Sequence, residues 1–168
     1  MQKPKHLEGL REYLVVSWGA TICDGYEADD QLGMESQKES NDKVVICSID
    51  KDLLQLRGTH YNFVRREVKE IDDLSGAVQF YTQLLVGDPT DNIRGCPGIG
   101  KVKAEKALRG CNTERQLYER AVECYKHVYK DQWEKELQLN AQLLYIWKEP
   151  EDQWKEPPAQ EPVAAPSS

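Results

Sequence analysis

Residues 87–101 read Gly-Asp-Pro-Thr-Asp-Asn-Ile-Arg-Gly-Cys-Pro-Gly-Ile-Gly-Lys and decide the fold of this chain. Glycine and proline at this density exclude a continuous helix, so we predict a structured connection between two helices. Gly98 and Gly100 let backbone N–H groups approach an anionic ligand, because no Cβ stands in the way. A helix predicted to begin at about Lys101 adds the positive end of its dipole there. The stretch is typical of a helix-hairpin-helix that holds a phosphate backbone, although an ordinary turn uses the same residue types.

The distribution of charge supports a polyanionic ligand, although the net charge of −7 does not. Residues 93–110 contain five basic residues and one acidic residue, whereas residues 131–168 contain eight acidic residues and three lysines. A phosphate backbone responds to local charge, and the basic segment coincides with the predicted hairpin. The alternative is that the basic helix is merely a solvated face, which is the usual case for an isolated run.

Composition limits the class of protein. A chain of 168 residues with 39% hydrophobic and 30% charged residues is typical of one soluble globular domain. No apolar run is long enough for a membrane helix, and no apolar segment of a secretory signal follows the first residues. Five cysteines without a Cys-x-x-Cys pair favour reduced thiols and argue against zinc. We therefore expect a cytoplasmic protein with no membrane partner.

Apolar spacing predicts alternating helices and strands in the first half of the chain. We predict helices at Leu7–Trp18, with Gly19 as its stop, and from Glu27 to about Glu39; strands at Ala20–Cys23, Val44–Cys47 (buried on both faces) and Tyr61–Val64; and a short helical piece at Leu53–Leu56. The second half is predicted to be helical, with helices from Asp72 or Asp73 to Leu85, at Lys101–Leu108, from a Thr113 capping box to about Lys130, and at Trp133–Trp147. This alternation predicts an α/β fold with a parallel sheet flanked by helices.

Seven carboxylates follow the predicted strands or precede the hairpin. They form three clusters: Glu27, Asp29 and Asp30; Asp50 and Asp52; Asp88 and Asp91. Ligands of parallel sheets bind beyond the carboxyl ends of the strands, so we expect the clusters to converge. Carboxylates crowded together need cations, and all-oxygen ligation selects Mg²⁺ or Mn²⁺. Two such ions about 4 Å apart would suit phosphodiester hydrolysis. Solvated surface acids are the simpler explanation for any one cluster alone.

The ordered motifs resemble those of the 5′-3′ exonuclease and flap endonuclease family. They are Glu27-Ala28-Asp29-Asp30, Ser48-x-Asp50-x-Asp52 and Gly87-Asp88-x-x-Asp91-Asn92, followed by Gly95-x-Pro97-Gly98-Ile99-Gly100. The likeness is to bacteriophage 5′-3′ exonucleases and the matching domain of bacterial DNA polymerase I, and it covers about residues 5–148. It implies a PIN-like α/β fold and a bacterial or phage-infected cell as the location. It also implies a metal-dependent enzyme that hydrolyses phosphodiesters of DNA, or of RNA primers on DNA, in replication.

The resemblance also implies roles for individual residues. Glu27, Asp29 and Asp30 would bind the first metal ion directly or through water, and Asp50, Asp52, Asp88 and Asp91 would complete a two-metal cluster. Residues 93–108 resemble a helix–three-turn–helix whose hairpin carbonyls bind K⁺ beside the duplex, although Lys103 stands where such hairpins often carry Ser or Thr. The implied DNA contacts are Gly95, Gly98, Ile99, Gly100, Lys101 and Lys103, and the implied substrate is a duplex with a 5′ end or flap, or an RNA–DNA hybrid.

The chain also departs from the family. Its members begin with a strand that carries a metal-binding Asp and with a basic helical arch, and residues 1–26 have no counterpart of either. We therefore expect a truncated or split nuclease: residues 1–86 as the carboxyl part of the α/β domain, with an incomplete sheet, 87–148 as the helix-hairpin-helix region with closing helices, and 149–168 as a disordered tail. The alternatives are a non-catalytic helix-hairpin-helix module that binds DNA, and one half of a two-chain nuclease that pairs with a separate amino-terminal fragment.

Overall fold

The computed structural model describes residues 3–38 and 44–159. Helices and strands alternate in the first part of this range, and the second part is helical. The helices are α1 (Leu7–Trp18), α2 (Ala28–Gln37), α3 (Asp73–Val86), α4 (Lys101–Ala107), α5 (Glu114–Tyr129) and α6 (Trp133–Leu144), with 3₁₀ turns at Asp52–Gln55 and Lys130–Gln132; the strands are β1 (Val45–Cys47), β2 (Gly58–Asn62) and β3 (Glu67–Ile71). The α/β class is thus confirmed. The predicted end of the second helix, at about Glu39, lies outside the described residues.

The three strands form one mixed sheet in the order β1-β2-β3. The β1–β2 pair is parallel, as predicted, with Ile46 opposite His60. The β2–β3 pair is antiparallel, so the prediction of a wholly parallel sheet is wrong. The strand predicted at Tyr61–Val64 ends early because the Asn62 side chain accepts hydrogen bonds from the N–H groups of Val64 (3.2 Å) and Arg65 (2.9 Å) and turns the chain into a hairpin.

Two predictions about the edge of this sheet are wrong. Residues 20–23 form no strand, since no described strand lies beside them, and Ile22 is 71% exposed. The predicted stop at Gly19 is correct: its φ is +66°, and the next N–H, of Ala20, donates to the Leu14 carbonyl at 3.1 Å. β1 is not buried on both faces, because only Ile46 faces the interior and Val45 is 53% exposed.

The main core lies among α3, α5 and α6. α3 begins where predicted, with the Asp72 carboxylate accepting from the Ser75 N–H at 2.7 Å. Tyr125 of α5 is fully buried, and its hydroxyl donates to the Leu84 carbonyl (2.7 Å) and accepts from Asn140 of α6 (2.9 Å). Because α3 belongs to this core, the helical region packs directly on the sheet region. The division at residue 87 stays a prediction.

The segment after α6 is packed rather than disordered as far as residue 159. Trp154 is buried and lies against Phe80 and Tyr118, with ring centroids at 6.4 and 6.1 Å. Gln142 donates to the Trp154 carbonyl at 2.9 Å. The prediction of a disordered tail from residue 149 is therefore wrong for residues 149–159, because one large aromatic side chain anchors an otherwise polar segment; residues 160–168 lie outside the described part.

We expect Trp154→Ala to lower the free energy of unfolding by about 3 kcal/mol, because it removes a large buried side chain from the core. Chemical denaturation measures this change. Gln153→Ala, at the exposed neighbouring position, is the matched control and should change it by less than about 0.5 kcal/mol. Equal stability of the two variants would show that the segment is not docked.

Candidate active site and nucleic-acid interface

Asp50 and Asp52 lie in a turn directly after β1. The Ser48 hydroxyl accepts from the Asp50 N–H at 2.9 Å, and the Asp50 carboxylate accepts from the Asp52 N–H at 2.9 Å. These two bonds fix the backbone, so both carboxylates are held at the carboxyl end of the strand. Asp52 also begins the 3₁₀ turn, which continues into the buried Leu53.

Carboxylates from all three predicted clusters interact electrostatically with one another. Burial raises the pKa of Asp52, and the charges of Asp50, Asp88 and Asp29 raise it further, against a lowering by Lys51. Burial likewise raises the pKa of Asp29, with the Asp50 charge as the next cause. One carboxylate oxygen of Asp52 is buried and has no hydrogen-bond partner. Asp29, Asp50, Asp52 and Asp88 therefore form one group of mutually unfavourable charges, which we call the acidic group.

The other predicted ligands are less closely associated with the acidic group. Glu27 is exposed at the start of α2, although its charge contributes to the raised pKa of Asp29. Asp91 is exposed in the turn before the hairpin. Asp30 accepts a hydrogen bond from the Trp147 N–H at 2.9 Å. Among the described residues, no three such side chains are close enough together to hold one metal ion.

α2 is positioned by the segment that follows α6. The Asp30 carboxylate of α2 accepts from the Trp147 N–H. Gly33 of the same helix lies so close to the Trp147 carbonyl that a Cβ at this position would collide with it. The Tyr26 ring also packs edge-on against the Trp147 ring, with centroids 5.7 Å apart. The helix predicted at Trp133–Trp147 ends at Leu144, and this early end frees the Trp147 backbone for these contacts.

A cleft of about 550 Å³ joins the acidic group to the hairpin region. Asp50 and Asp88 line it, and so do four basic side chains, Lys51, Arg65, Lys69 and Lys101. In the described part of the chain, Lys51, Arg65 and Lys69 form no ion pair with a carboxylate, and Lys101 only approaches Glu105 at 3.9 Å. Sequence reasoning missed Arg65 and Lys69; the signal was a basic run at a turn whose hairpin was not recognised.

The turn before the predicted hairpin, residues 87–95, is held together by close backbone contacts. Asp88 and Ile93 exchange two backbone hydrogen bonds of 2.8 Å. Gly87 and Gly95 both have positive φ and lie so close that a Cβ on either would collide with the other's backbone. The Tyr129 hydroxyl of α5 donates to the Gly95 carbonyl. Gly95 is therefore buried and structural, so its predicted contact with DNA is not supported by its position.

The remaining predicted DNA contacts lie at the tip of the hairpin. A Cβ at Gly98 or Gly100 would meet no atom within 4 Å, so this backbone is open to an approaching ligand, as predicted. Ile99 is half-buried against the core, and Lys101 and Lys103 are exposed. The Lys103 ammonium donates to the Gly98 carbonyl at 2.8 Å.

Comparison with known proteins agrees with the motif resemblance. No family model matches the chain. A 5′-3′ exonuclease of Halalkalibacterium halodurans is 31% identical over an alignment 138 positions long, which covers 74% of this chain and 45% of that protein. The chain is a relative of the 5′-3′ exonucleases. DNA polymerase I of Bacillus subtilis is 34% identical over an alignment 114 positions long, which covers 56% of this chain and 12% of the polymerase. The chain thus spans less than half the length of the curated relatives it matches.

Solved structures agree on the fold. A 5′-exonuclease of T5 superposes with a TM-score of 0.54 at 18% identity, over 83% of this chain and 76% of that one. A bacteriophage T5 flap endonuclease, in a pseudo-enzyme-product complex with DNA and metal ions, gives 0.51 at 18% identity, over 85% and 73%. These likenesses establish the PIN-like α/β fold and the order of its helices and strands. In the described part of the chain, no helix is both long and apolar enough to cross a membrane.

Proposed function

We propose that this chain carries the metal-binding and hairpin portion of a 5′-3′ exonuclease or flap endonuclease that hydrolyses phosphodiester bonds of DNA, or of RNA primers on DNA. The observation that carries the proposal is the cleft in which Asp50 and Asp88 lie beside Lys51, Arg65 and Lys69. Acids that hold divalent ions and unpaired cations that hold phosphates are the two halves of a nuclease site.

The acidic group fits a hard divalent cation. Its donors are carboxylate oxygens, which Mg²⁺ and Mn²⁺ prefer. The unpartnered buried oxygen of Asp52 and the raised pKa values of Asp29 and Asp52 are what a cation would relieve. We assign Asp29, Asp50, Asp52 and Asp88 to this role, with Glu27, Asp30 and Asp91 as further ligands after rotation of their side chains. Two bound ions would supply Lewis-acid catalysis at the scissile phosphate.

The chain's own residues position the substrate. Lys51 lies between Asp50 and Asp52 in the sequence and lines the cleft, so it can bind the phosphate next to the reacting phosphate. Arg65 and Lys69 extend this positive wall along the β2–β3 hairpin, and Lys101 continues it toward the helix-hairpin-helix. A nucleic-acid strand in the cleft would be bound through its phosphate backbone, independently of its base sequence.

We expect Arg65→Ala/Lys69→Ala to weaken binding of 5′-flap DNA and to reduce the slope of log affinity against log salt by about two, since two phosphate contacts are lost. Fluorescence anisotropy in EDTA at several salt concentrations measures both effects without cleavage. The control is Lys135→Ala/Lys155→Ala, which removes the same charge from exposed positions outside the cleft. If the slope of log affinity against log salt is equal in the two double variants, the β2–β3 hairpin does not contact the DNA.

Cleavage of a 5′-labelled flap substrate with Mg²⁺ or Mn²⁺, abolished by EDTA, tests the proposal. A chain that binds DNA but never cleaves it, with any divalent ion or added polypeptide, would instead be a non-catalytic binding module. A second candidate is one half of a two-chain nuclease. It is favoured by the outer edge of β1, which pairs with no strand among the described residues, and by α1, in which no residue is buried.

Potassium at the hairpin, implied by the family resemblance, does not fit this chain. The Lys103 ammonium already occupies the Gly98 carbonyl. A second cation at the same oxygen would be repelled by it. We therefore assign no step to potassium.

A further inference from the structure

The hairpin already contains a cation of its own. Lys103 reaches back five residues, and its ammonium donates to the Gly98 carbonyl at 2.8 Å. Gly98 has a φ of +85° at the turn and is exposed. The charge of Lys103 is therefore held at the tip of the hairpin, on the open backbone where no Cβ would meet a neighbour.

Two neighbouring carbonyls of the turn, those of Cys96 and Gly100, are also engaged within the chain. The Cys96 carbonyl accepts from the Ile99 N–H at 2.9 Å. The Gly100 carbonyl accepts from the N–H groups of Lys103 and Ala104, both at 3.0 Å. A free ion at this turn would have to share each of these oxygens with a donor already present, and would lie within a few Å of a like charge.

No acid competes for the ammonium in the described part of the chain. A shallow cavity beside the hairpin brings Lys103 near Glu123 and His127 of α5. Glu123, however, pairs with Arg120 at 2.9 Å, and no carboxylate lies within ion-pair distance of Lys103 among the described residues. A lysine ammonium has three donors, so two remain for an incoming ligand.

We propose that the Lys103 ammonium replaces the potassium ion of such hairpins as a tethered cation that links the Gly98 carbonyl to a phosphate of the DNA duplex. The inference rests on the proposed function, since it takes the hairpin to bind DNA. Its consequence is specific: the hairpin of this chain binds DNA without a requirement for any particular monovalent ion.

The test compares DNA affinity in KCl, NaCl and tetramethylammonium chloride at equal ionic strength, by fluorescence anisotropy with a duplex carrying a 5′ flap in EDTA. Wild-type affinity should be the same in the three salts within about twofold, because the cation is covalently attached. Lys103→Thr should bind about tenfold more weakly in tetramethylammonium, the loss of roughly one charge-assisted phosphate contact, and should regain part of this in KCl. Lys103→Arg keeps a fixed charge and should remain insensitive to the ion.

Lys106→Thr is the matched control, because it removes an exposed lysine from the same helix at a position that does not face the hairpin cavity. It should leave the ion response of the wild type unchanged. A wild-type affinity that falls about tenfold when potassium is replaced by tetramethylammonium overturns the inference, and this comparison decides the matter even if Lys103→Thr fails to fold.

Cleavage separates failure of the inference from failure of the proposed function. Metal-dependent cleavage together with potassium-dependent DNA binding would contradict the role of Lys103 as a tethered cation and would still support the proposed nuclease function. Absence of DNA binding in every salt would overturn both.

Discussion

Replacing Asp50 and Asp52 together by asparagine will remove the thermal stabilisation by Mg²⁺ or Mn²⁺. It will also lower the rate of metal-dependent cleavage on the order of a thousandfold, because the ions stabilise the transition state by several kcal/mol. A metal at about a hundred times its Kd stabilises the native state by about 2.7 kcal/mol. That corresponds to a rise of about 5–10 °C in the melting temperature of a chain of this size. Asparagine keeps the Oδ1 acceptor that Asp50 offers to the Asp52 N–H, so the turn should persist.

The same variant should be more stable than wild type when no metal is present. The pKa of Asp52 is raised above its ordinary value of 3.8, so the folded state binds this proton more tightly than the unfolded chain does. The ionised carboxylate therefore opposes folding at neutral pH. This penalty grows as the pH rises from 3.8 through the raised pKa, and it is absent once the side chain is asparagine.

Differential scanning fluorimetry with and without metal, at pH 5 and pH 7.5, measures both effects. Asp73→Asn/Asp131→Asn serves as the control, because it removes two exposed carboxylates that neither line the cleft nor contribute to the raised pKa values of Asp29 and Asp52. A metal response that is equal in wild type and in the Asp50/Asp52 variant would place the metal site elsewhere.

The second large effect concerns the outer edge of β1. The 168-residue chain alone should cleave a 5′ flap weakly, and an added amino-terminal half of the H. halodurans relative should raise the rate by at least about a hundredfold. The reason is geometric, because no three acids in the described residues are yet close enough to hold one ion. An added strand beside β1, whose outer edge pairs with no strand in the described ranges, would cover exposed apolar surface and bring further ligands to the acidic group.

The surface of α1 offers a direct control for this pairing. Val16 and Trp18 are 77% and 73% exposed, so Val16→Glu/Trp18→Glu should fold normally but lose the rate increase. Leu139→Glu on α6, where the side chain is 50% exposed, should keep the rate increase. Full activity of the chain by itself would contradict the incomplete-site argument, and equal behaviour of the two variants would remove α1 from the pairing surface.

The parts of the fold that were predicted correctly depend on local chemistry. The caps at Asp72 and Thr113, the stop at Gly19 and the short helical piece after β1 are each determined by a few adjacent residues. The acidic motifs likewise follow from spacing within single segments. The expected convergence at the ends of parallel strands accounts only for Asp50 and Asp52, because Asp29 lies in α2 after a segment that forms no strand and Asp88 follows α3.

Most of the errors involve contacts between residues far apart in the sequence. Residues 20–23 have strand composition, but no strand in the described part of the chain lies beside them. β3 is the exception, because the turn before it depends on a local signal, the Asn62 side chain, that the sequence analysis did not use. Trp154 is buried through rings at positions 80 and 118, and Asp30 is bonded to a residue 117 positions away. No local pattern reports such partners.

The bond between Asp30 and Trp147 gives the assembly of this site an order in time. Ribosomes make the chain from its amino end, so the first acidic motif leaves the ribosome long before its anchor has been translated. Until the last helix and the residues after it have emerged, α2 lacks the Trp147 backbone that holds it through Asp30 and Gly33. The candidate site of a nascent chain of this design would therefore stay unfinished until Trp147 has left the ribosome.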